Sequence, residues 1–350
     1  MPGLKIPGPP YLNLWISGNS HVKALVTGAN GFLGMYLVEL LVKRGHDVRV
    51  MTRKPNQYLG TLDVEHAIGD IRNPEACLQA TRDIDVVFHT AAISGIWGKW
   101  QLFYETNTIG TQNVIEGCLQ NGVRKLVYTS SPSVTFNGDD QININETTGY
   151  PERWLCHYPH SKALAEQQVL LANDPEKLMT CALRPHLIWG PRDQHLIPRL
   201  LARARSNKLR KVGDGKNLID IIYVENAALA HLQAAEAMEP NSAVCGRAYF
   251  LSQGEPVNCW DWIDQILALA KLPGIQKSIP FHWAYGLGAL MEASYGLAQL
   301  KNEPRMTRFL AAQLAKNHYF DISRARQDFG FSPQVSTAEG MNRLAESMVQ

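Results

Sequence analysis

The sequence predicts an α/β fold, a doubly wound parallel sheet with a smaller, mainly helical C-terminal lobe. Three observations predict this fold. Short β-rich runs alternate with stretches of helical periodicity from Val22 to Pro185. A glycine-rich turn at 27–34 follows the first run and opens the first helix, and after Pro185 the alternation gives way to a mostly helical chain. Strands that alternate with helices form a parallel sheet covered on both faces, with ligands at the carboxyl ends of its strands.

The elements can be followed in order along the chain. The β-rich runs are Lys23–Thr27, Asp47–Thr52, 85–90, 125–130, 179–184, 218–224 and 247–252. The helical stretches, which carry apolar residues three or four apart, are 32–44, 161–172, 194–207 and 225–238. Gly45 ends the first helix. Between 258 and 317 the chain is again mostly helical, with breaks at Pro273, Pro280 and Pro304.

Composition narrows the class of protein. The chain has 350 residues, of which 45% are hydrophobic and 19% are charged, as in a folded protein that builds a sizeable core. Its net charge of +2 gives no reason to expect a nucleic-acid partner. The six cysteines include no Cys-x-x-Cys pair, which argues against a disulfide framework or a zinc site and favours a reducing compartment. Residues 1–21 form an extension without the pattern of a signal peptide, so we expect a cytoplasmic protein, with a position peripheral to the membrane as the alternative. We expect no metal.

The glycine turn predicts a dinucleotide site. Gly28 can make the tight turn, Gly31 lets the backbone approach phosphates, and Gly34 lets the helix pack closely. The pyrophosphate would lie on the amides and the positive dipole end of the helix. A glycine-rich turn without a ligand is the alternative.

The end of the second strand indicates which cofactor fits. An NAD site places an acidic residue there, but this strand ends Met51-Thr52-Arg53-Lys54, with two cations. We therefore favour NADP(H), with NAD(H) as the alternative cofactor and solvated surface charge as the other interpretation of the cations. Asp70 closes the third run and could accept a hydrogen bond from the adenine amine. Ala91 and Ala92 are small enough for the cofactor to lie across a strand end.

Tyr158 and Lys162 form the predicted proton-transfer pair. They lie four residues apart and so share one helical face, and Pro159 suits the first turn of that helix. A cation near a tyrosine stabilises the phenolate and lowers the tyrosine pKa. Tyr158 would then act as the general acid that protonates a carbonyl oxygen.

A hydroxyl that holds the same carbonyl is expected after the 125–130 run. Ser131 is our choice, and Ser130 and Ser133 stay open because adjacent residues point to opposite sides. Asn107 lies within a helical stretch, where asparagine is unfavourable, so we expect it to make a backbone or water contact near Lys162, with solvent exposure as the alternative.

These motifs together resemble the extended short-chain dehydrogenase/reductase superfamily with its Rossmann fold, and within it the 3β-hydroxysteroid dehydrogenase-like branch. The motifs are 27–34, Gly69-Asp70, His89-Thr90-Ala91-Ala92, 107–111, 128–131, 158–162 and Leu183-Arg184-Pro185. The resemblance implies that Ser131, Tyr158 and Lys162 are catalytic, with Asn107 in support. The expected cofactor contacts are Gly28, Asn30, Gly31, Phe32, Leu33, Gly34, Arg53, Lys54, Asp70, Ile71, Ala91, Ala92, Tyr158, Lys162 and Pro185.

A narrower resemblance concerns the substrate. Residues 94–98, 131–135, 183–191 and 213–215 look like those of bacterial 2-alkyl-3-oxoalkanoate reductases. This resemblance implies NADPH-dependent reduction of a long-chain 2-alkyl-3-oxo acid to its 3-hydroxy product in olefin biosynthesis, in assembly with other enzymes of that pathway. The alternatives are a 3β-hydroxysteroid or sterol dehydrogenase and a sugar-nucleotide epimerase or dehydratase.

The predicted domains are an N-terminal extension (1–21), a dinucleotide-binding domain (22–185, with returning segments near 218–252) and a substrate lobe (186–217 and 253–350). Residues with aromatic side chains after the fourth run could line an apolar pocket, and they are Trp97, Trp100, Phe103 and Tyr104. The side chains that could pair with the carboxylate of the substrate are Lys99, Arg192 and Arg199. The apolar stretch 280–300 is interpreted first as a lobe helix over the substrate, with a partner interface or a membrane surface as alternatives. We also expect a homodimer.

Overall fold

The computed structural model describes residues 21–349, so the predicted extension lies outside the described residues except for His21. The strands, in chain order, are β1 (Lys23–Thr27), β2 (Asp47–Thr52), β3 (Glu65–Ile68), β4 (Val86–His89), β5 (Lys125–Thr129), β6 (Gln141–Ile144), β7 (Met179–Pro185), β8 (Ile188–Trp189), β9 (Lys211–Val212), β10 (Leu218–Ile219), β11 (Ile222–Tyr223), β12 (Arg247–Leu251), β13 (Val257–Asn258), β14 (Ser278–Ile279) and β15 (His318–Phe320).

The helices, in chain order, are α1 (Phe32–Lys43), α2 (Pro74–Ala80), α3 (Trp100–Phe103), α4 (Gly110–Asn121), α5 (His157–Leu171), α6 (Leu196–Arg205), α7 (Val224–Ala237), α8 (Cys259–Leu269), α9 (Phe281–Leu297), α10 (Arg308–Ala315), α11 (Ser323–Phe329) and α12 (Thr337–Val349). A π-helical turn, Tyr104–Ile109, joins α3 to α4, and a 3-10 turn, Pro132–Thr135, follows β5.

The described residues form one seven-stranded parallel sheet in the order β12-β7-β5-β4-β1-β2-β3. Alternate side chains of each strand point to opposite faces. Val26 packs on the side of α1 and α7, whereas Leu25 packs on the side of α2, α4 and α5. Both residues are fully buried. The predicted doubly wound fold is therefore confirmed.

A second core lies in the C-terminal part of the chain. Its centre is aromatic, with Trp189, Trp260 and Trp262 almost fully buried among α6, α8 and α12. This part is mainly helical, as predicted. The division of the chain into domains stays a prediction, although β12 does return to the main sheet.

The structure corrects one predicted strand. The run 218–224 does not form a single strand, because it is divided into β10 and β11, which pair in two different small sheets. The break falls at Asp220, which is fully buried and whose Oδ2 accepts a hydrogen bond of 2.9 Å from the amide of Phe320. This hydrogen bond joins the break to β15 and satisfies one oxygen of the buried carboxylate.

None of the helices in the described part of the chain is long and apolar enough to cross a membrane.

Candidate functional site

The glycine turn lies at the carboxyl end of β1. Gly28 has φ +72°, and a Cβ there would lie 2.6 Å from the amide nitrogen of Ala91. A Cβ at Gly34 would lie 2.4 Å from the carbonyl oxygen of Gly28. Neither position has room for a side chain, because α1 and the loop after β4 pack directly against the turn.

The start of α1 is suited to an anionic group. Gly31 is the N-cap and supplies no side-chain cap, and the first turn, which includes Phe32 and Leu33, contains no acidic residue. Asn30 Oδ1 is buried without a hydrogen-bond partner among the described residues. The free amides at the start of the helix can donate to the pyrophosphate of a dinucleotide, whereas Asn30 Oδ1 can only accept and so suits a hydroxyl donor.

Arg53 and Lys54 are exposed beside this turn at the end of β2. The Lys54 carbonyl accepts hydrogen bonds from Asn30 Nδ2 at 3.2 Å and from Thr52 Oγ1 at 3.0 Å, which fixes the segment that carries both cations. The end of β2 thus presents positive charge and no carboxylate.

Asp70 lies after β3, but its carboxylate is engaged by Arg72. Its Oδ1 accepts from the Arg72 amide at 2.9 Å and from Nε at 3.0 Å, and its Oδ2 accepts from Nη2 at 2.7 Å. These hydrogen bonds with Arg72 hold the pKa of Asp70 below its usual value. The neighbouring Ile71 is buried and packs against Gly110.

A buried network under the turn was not foreseen from the sequence. His89 Nδ1 lies 2.6 Å from Thr27 Oγ1, and His89 Nε2 lies 2.9 Å from Thr111 Oγ1. Burial lowers the pKa of His89 to about 3, and the charge of Lys162 acts in the same direction, so the ring is neutral. The network supports the loop that begins after β4, where Ala91 is half-buried and Ala92 is exposed.

The structure distinguishes the three candidate serines by the groups that their hydroxyls contact. Ser131 lies beside Tyr158, and its hydroxyl acts to lower the pKa of that tyrosine. Ser133 Oγ is 2.8 Å from Ser131 Oγ, and Ser131 caps the 3-10 turn. The buried Ser130 hydroxyl is near Glu166 instead and acts on the pKa of that carboxyl. Ser131 is therefore the serine adjacent to the tyrosine.

Lys162 lies on the same helix as Tyr158 but is directed at the sheet. Its Nζ donates a hydrogen bond of 2.6 Å to the Thr129 carbonyl and lies 4.1 Å from the centroid of the Tyr128 ring. Burial lowers the pKa of Lys162 to about 7, against the opposing attraction of Glu166.

The expected depression of the Tyr158 pKa is wrong for the protein alone. Burial raises that pKa to about 12, and the Ser131 hydroxyl only partly opposes the effect. Lys162 Nζ is instead hydrogen-bonded to the Thr129 carbonyl.

Asn107 lies in the π-helical turn and is fully buried, so the alternative of solvent exposure is wrong. It accepts a hydrogen bond from the Ile93 amide at 2.8 Å and donates to the Ile93 carbonyl at 3.0 Å. It also donates to Ser161 Oγ at 2.9 Å. Asn107 thus connects the loop after β4 with the helix that carries Tyr158 and Lys162.

Glu166 and Arg184 form a buried ion pair that sequence reasoning missed. Arg184 donates from Nε to Glu166 Oε2 at 2.9 Å and from Nη2 to Oε1 at 2.5 Å. Burial favours the neutral acid, but Arg184 keeps the pKa of Glu166 below its usual value. Arg184 directly precedes Pro185, the buried last residue of β7. The sequence contains one signal for Glu166. It follows Tyr158 and Lys162 at intervals of four residues, which places all three side chains on one helical face.

The aromatic side chains after β4 make specific contacts. Trp100 stacks on Tyr104 and on His160, with ring centroids 5.3 Å and 4.6 Å apart, and Phe103 is buried. Trp97 Nε1 donates to the Leu300 carbonyl at 3.1 Å. That these side chains line an apolar pocket stays a prediction.

Two of the three side chains predicted to bind the substrate carboxylate already form ion pairs within the protein. Arg192 pairs with Glu39 through Nη2 and Oε2 at 2.9 Å, and Arg199 pairs with Glu303. Lys99 is exposed. No cluster of metal-ligating side chains occurs within residues 21–349.

Comparison with known proteins gives the family context. The profile of the 3-beta hydroxysteroid dehydrogenase/isomerase family matches residues 25–279. The chain is 46% identical over 328 residues to 2-alkyl-3-oxoalkanoate reductase of Stenotrophomonas maltophilia, covering 93% of this chain and 99% of that protein. It is also 46% identical over 332 residues to the Shewanella oneidensis protein of the same name, covering 93% and 86%. The decarboxylating sterol-4-alpha-carboxylate 3-dehydrogenase of Mus musculus is 36% identical over 329 residues, covering 93% and 90%.

Solved structures with the same fold include nucleotide-sugar enzymes. UDP-glucose 4-epimerase of Thermus thermophilus, in complex with NAD, has a TM-score of 0.69 at 22% identity, covering 93% of this chain and 99% of that chain. At this level of identity the likeness concerns the fold alone.

Proposed function

Because the chain belongs to the 3-beta hydroxysteroid dehydrogenase/isomerase family, we propose that it uses NADPH to reduce a 2-alkyl-3-oxoalkanoate to the 2-alkyl-3-hydroxyalkanoate. Its relatives are named reductases and dehydrogenases, so the chain is an oxidoreductase. The 46% identity to two 2-alkyl-3-oxoalkanoate reductases over nearly their whole length supports the substrate.

The observation that carries the proposal is the position of Tyr158 beside the Ser131 hydroxyl, on the helix that also carries Lys162. Burial raises the pKa of Tyr158, so the phenol holds its proton at neutral pH and can donate it. A reduction needs such a donor at the carbonyl oxygen.

The residues of the site then have distinct tasks. When bound, the nicotinamide supplies hydride to the carbonyl carbon. Tyr158 transfers its proton to the carbonyl oxygen, and Ser131 donates a hydrogen bond to that oxygen as negative charge develops. The pKa of Lys162 is about 7, so its amine exists in both protonation states near neutral pH. Lys162 can therefore return a proton to Tyr158 after Tyr158 has donated its own.

The cofactor preference rests on the end of β2. Arg53 and Lys54 are held beside the glycine turn by the two hydrogen bonds to the Lys54 carbonyl. Guanidinium and ammonium groups stabilise a 2′-phosphate, which NAD(H) lacks.

The test is NADPH oxidation with a long-chain 2-alkyl-3-oxo acid, followed by the near-ultraviolet absorbance of the cofactor. We expect turnover that prefers NADPH over NADH and falls about 10²- to 10⁴-fold in Tyr158→Phe, the usual range for loss of a general acid. Tyr319→Phe, in β15, is the matched control and should keep full activity.

A 3β-hydroxysterol with NAD⁺ is the comparison substrate, since a sterol dehydrogenase is among the relatives. Turnover of the sterol alone would keep the proton-transfer assignment and refute the proposed substrate. Full activity of Tyr158→Phe on either substrate would refute the assignment of the acid.

A further inference from the structure

The helix α9 exposes an apolar surface. Trp283, Leu287, Leu290 and Leu297 are 67%, 45%, 67% and 88% exposed, and they are called here the α9 apolar stripe. Their spacing of four, three and seven residues places them along one side of the helix. A contiguous apolar surface of this kind on a folded chain marks a binding surface.

The opposite side of α9 is firmly packed. Ala284 and Gly288 are buried, and a Cβ at Gly288 would lie 2.6 Å from the backbone of Thr307. Glu292, the acidic residue of this helix, faces inward, where its carboxylate accepts from Arg308 N and Nε at 2.6 Å each. The helix therefore turns the carboxylate of Glu292 toward the protein and the four side chains of the stripe toward solvent, whereas Phe281 and Tyr285 pack against the C-terminal core.

Positive charge flanks the stripe at both ends. Lys277 precedes α9, Lys301 and Arg305 follow it, and all three are exposed. None of them forms an ion pair with another residue in 21–349. The acids of the segment are neutralised, because Glu292 pairs with Arg308 and Glu303 pairs with Arg199.

We propose that α9 binds the surface of an anionic lipid bilayer, with the stripe in the headgroup region and the flanking cations on lipid phosphates. An apolar face bounded by lysine and arginine complements such a surface in both polarity and charge. Its 17 residues span about 25 Å along the helix axis, so the helix lies in the plane of the surface.

The position of the stripe relates it to the candidate site. Its C-terminal end leads to Leu300, whose carbonyl accepts the hydrogen bond from Trp97. The Trp97 ring also meets Tyr295 of α9 edge to face, with centroids 6.1 Å apart. Trp97 belongs to the loop after β4, which packs against the glycine turn at Ala91. Contact of α9 with a bilayer would therefore bring this loop close to the lipid surface.

The experiment is vesicle flotation of the full chain. Vesicles of phosphatidylcholine mixed with phosphatidylglycerol are compared with vesicles of phosphatidylcholine alone. We expect flotation with the anionic vesicles, reduced at least about tenfold by Trp283→Ser/Leu287→Ser/Leu290→Ser. Leu171→Ser changes an equally exposed leucine at the end of α5 (87% exposed) and should leave flotation unchanged.

A second variant keeps the proposal falsifiable if the triple variant folds poorly. Lys301→Gln/Arg305→Gln alters exposed cations and should remove the preference for anionic vesicles. Absence of flotation of the unaltered chain would overturn the proposal, as would flotation unaffected by either variant. A dimer in size exclusion that the triple variant abolishes, without flotation, would instead assign the stripe to a second copy of the chain.

Discussion

Asn107 Nδ2 donates a hydrogen bond of 2.9 Å to Ser161 Oγ, and so a π-helical turn is tied to the helix of Tyr158 and Lys162. The neighbouring Thr108 Oγ1 donates to the Ser161 carbonyl at 2.9 Å, which adds a second link between the same two segments. Irregular π turns persist where a specific contact holds them. Here that contact sets the position of α5 relative to the loop after β4.

Replacement of Asn107 by alanine should therefore affect catalysis more than cofactor affinity. Asn107→Ala leaves the Ile93 amide and carbonyl and the Ser161 hydroxyl without this partner, at a cost of about 1–3 kcal/mol in the free energy of unfolding. A small displacement of α5 should lower kcat about 10- to 100-fold. Steady-state kinetics with urea denaturation measures both quantities.

Asn113→Ala is the control for this prediction. Asn113 is also buried and donates one hydrogen bond of 2.9 Å to the Ile71 carbonyl, away from α5. It should lose stability and keep kcat within about twofold. Equal losses of kcat in the two variants would contradict the positioning role of Asn107.

The buried pair of Glu166 and Arg184 gives a prediction about stability. Glu166→Gln leaves a buried guanidinium without its counter-charge, so we expect the free energy of unfolding to fall by about 3–5 kcal/mol. Replacing both partners, as in Glu166→Leu/Arg184→Met, should recover most of that loss, because no charge then stays unpaired. Urea denaturation measures both.

Glu339→Gln is the exposed comparison. Glu339 pairs with Arg343 at 2.8 Å, and the two side chains are 48% and 27% exposed. Its loss should cost less than about 1 kcal/mol, since solvent screens the Arg343 charge and Glu225 still pairs with it. Similar costs for Glu339→Gln and Glu166→Gln would show that burial of the second pair is energetically unimportant.

The fold could be predicted because its signals are local. The continuous apolar run within Lys23–Thr27, the helical spacing after it and the glycines between them all lie within one short segment. The same holds for Tyr158 and Lys162, whose common helical face follows from their spacing.

Contacts between distant segments could not be predicted in this way. Glu166 and Arg184 meet because α5 packs against β7, and His89 meets Thr27 and Thr111 because three segments converge under the turn. The exposure of α9 has the same origin. Its apolar sequence is compatible with a covered helix, and the packing of Gly288 against Thr307 decides which side faces solvent.

The cations after β2 predict a measurable cofactor preference. Arg53→Ala/Lys54→Ala should raise the KM for NADPH at least about tenfold by removing charge-assisted contacts to a 2′-phosphate. The KM for NADH should change less than about twofold. Lys43→Ala, at the far end of α1, removes an exposed cation from elsewhere and should alter neither value. Equal changes for NADPH and NADH would place the 2′-phosphate away from Arg53 and Lys54.

The buried lysine predicts a pH dependence of stability. The pKa of Lys162 is about 7 in the folded protein, against a usual value of 10.5. Between these pH values the unfolded chain holds a proton that the folded chain lacks, so the contribution of Lys162 to stability rises with pH through this window. Below pH 7 Lys162 is protonated in both the folded and the unfolded chain. The free energy of unfolding is then lowered by the full cost of burying its charge.

Lys162→Met removes this penalty. Its free energy of unfolding relative to the unaltered chain should be higher at pH 7 than at pH 10, by an amount on the order of a few kcal/mol. Urea denaturation of both proteins at the two pH values gives the difference and cancels the titration of other groups. Lys177→Met, at a side chain 73% exposed, should show the same difference at both pH values. A Lys162→Met difference that is likewise independent of pH would mean that Lys162 stays charged where it is buried.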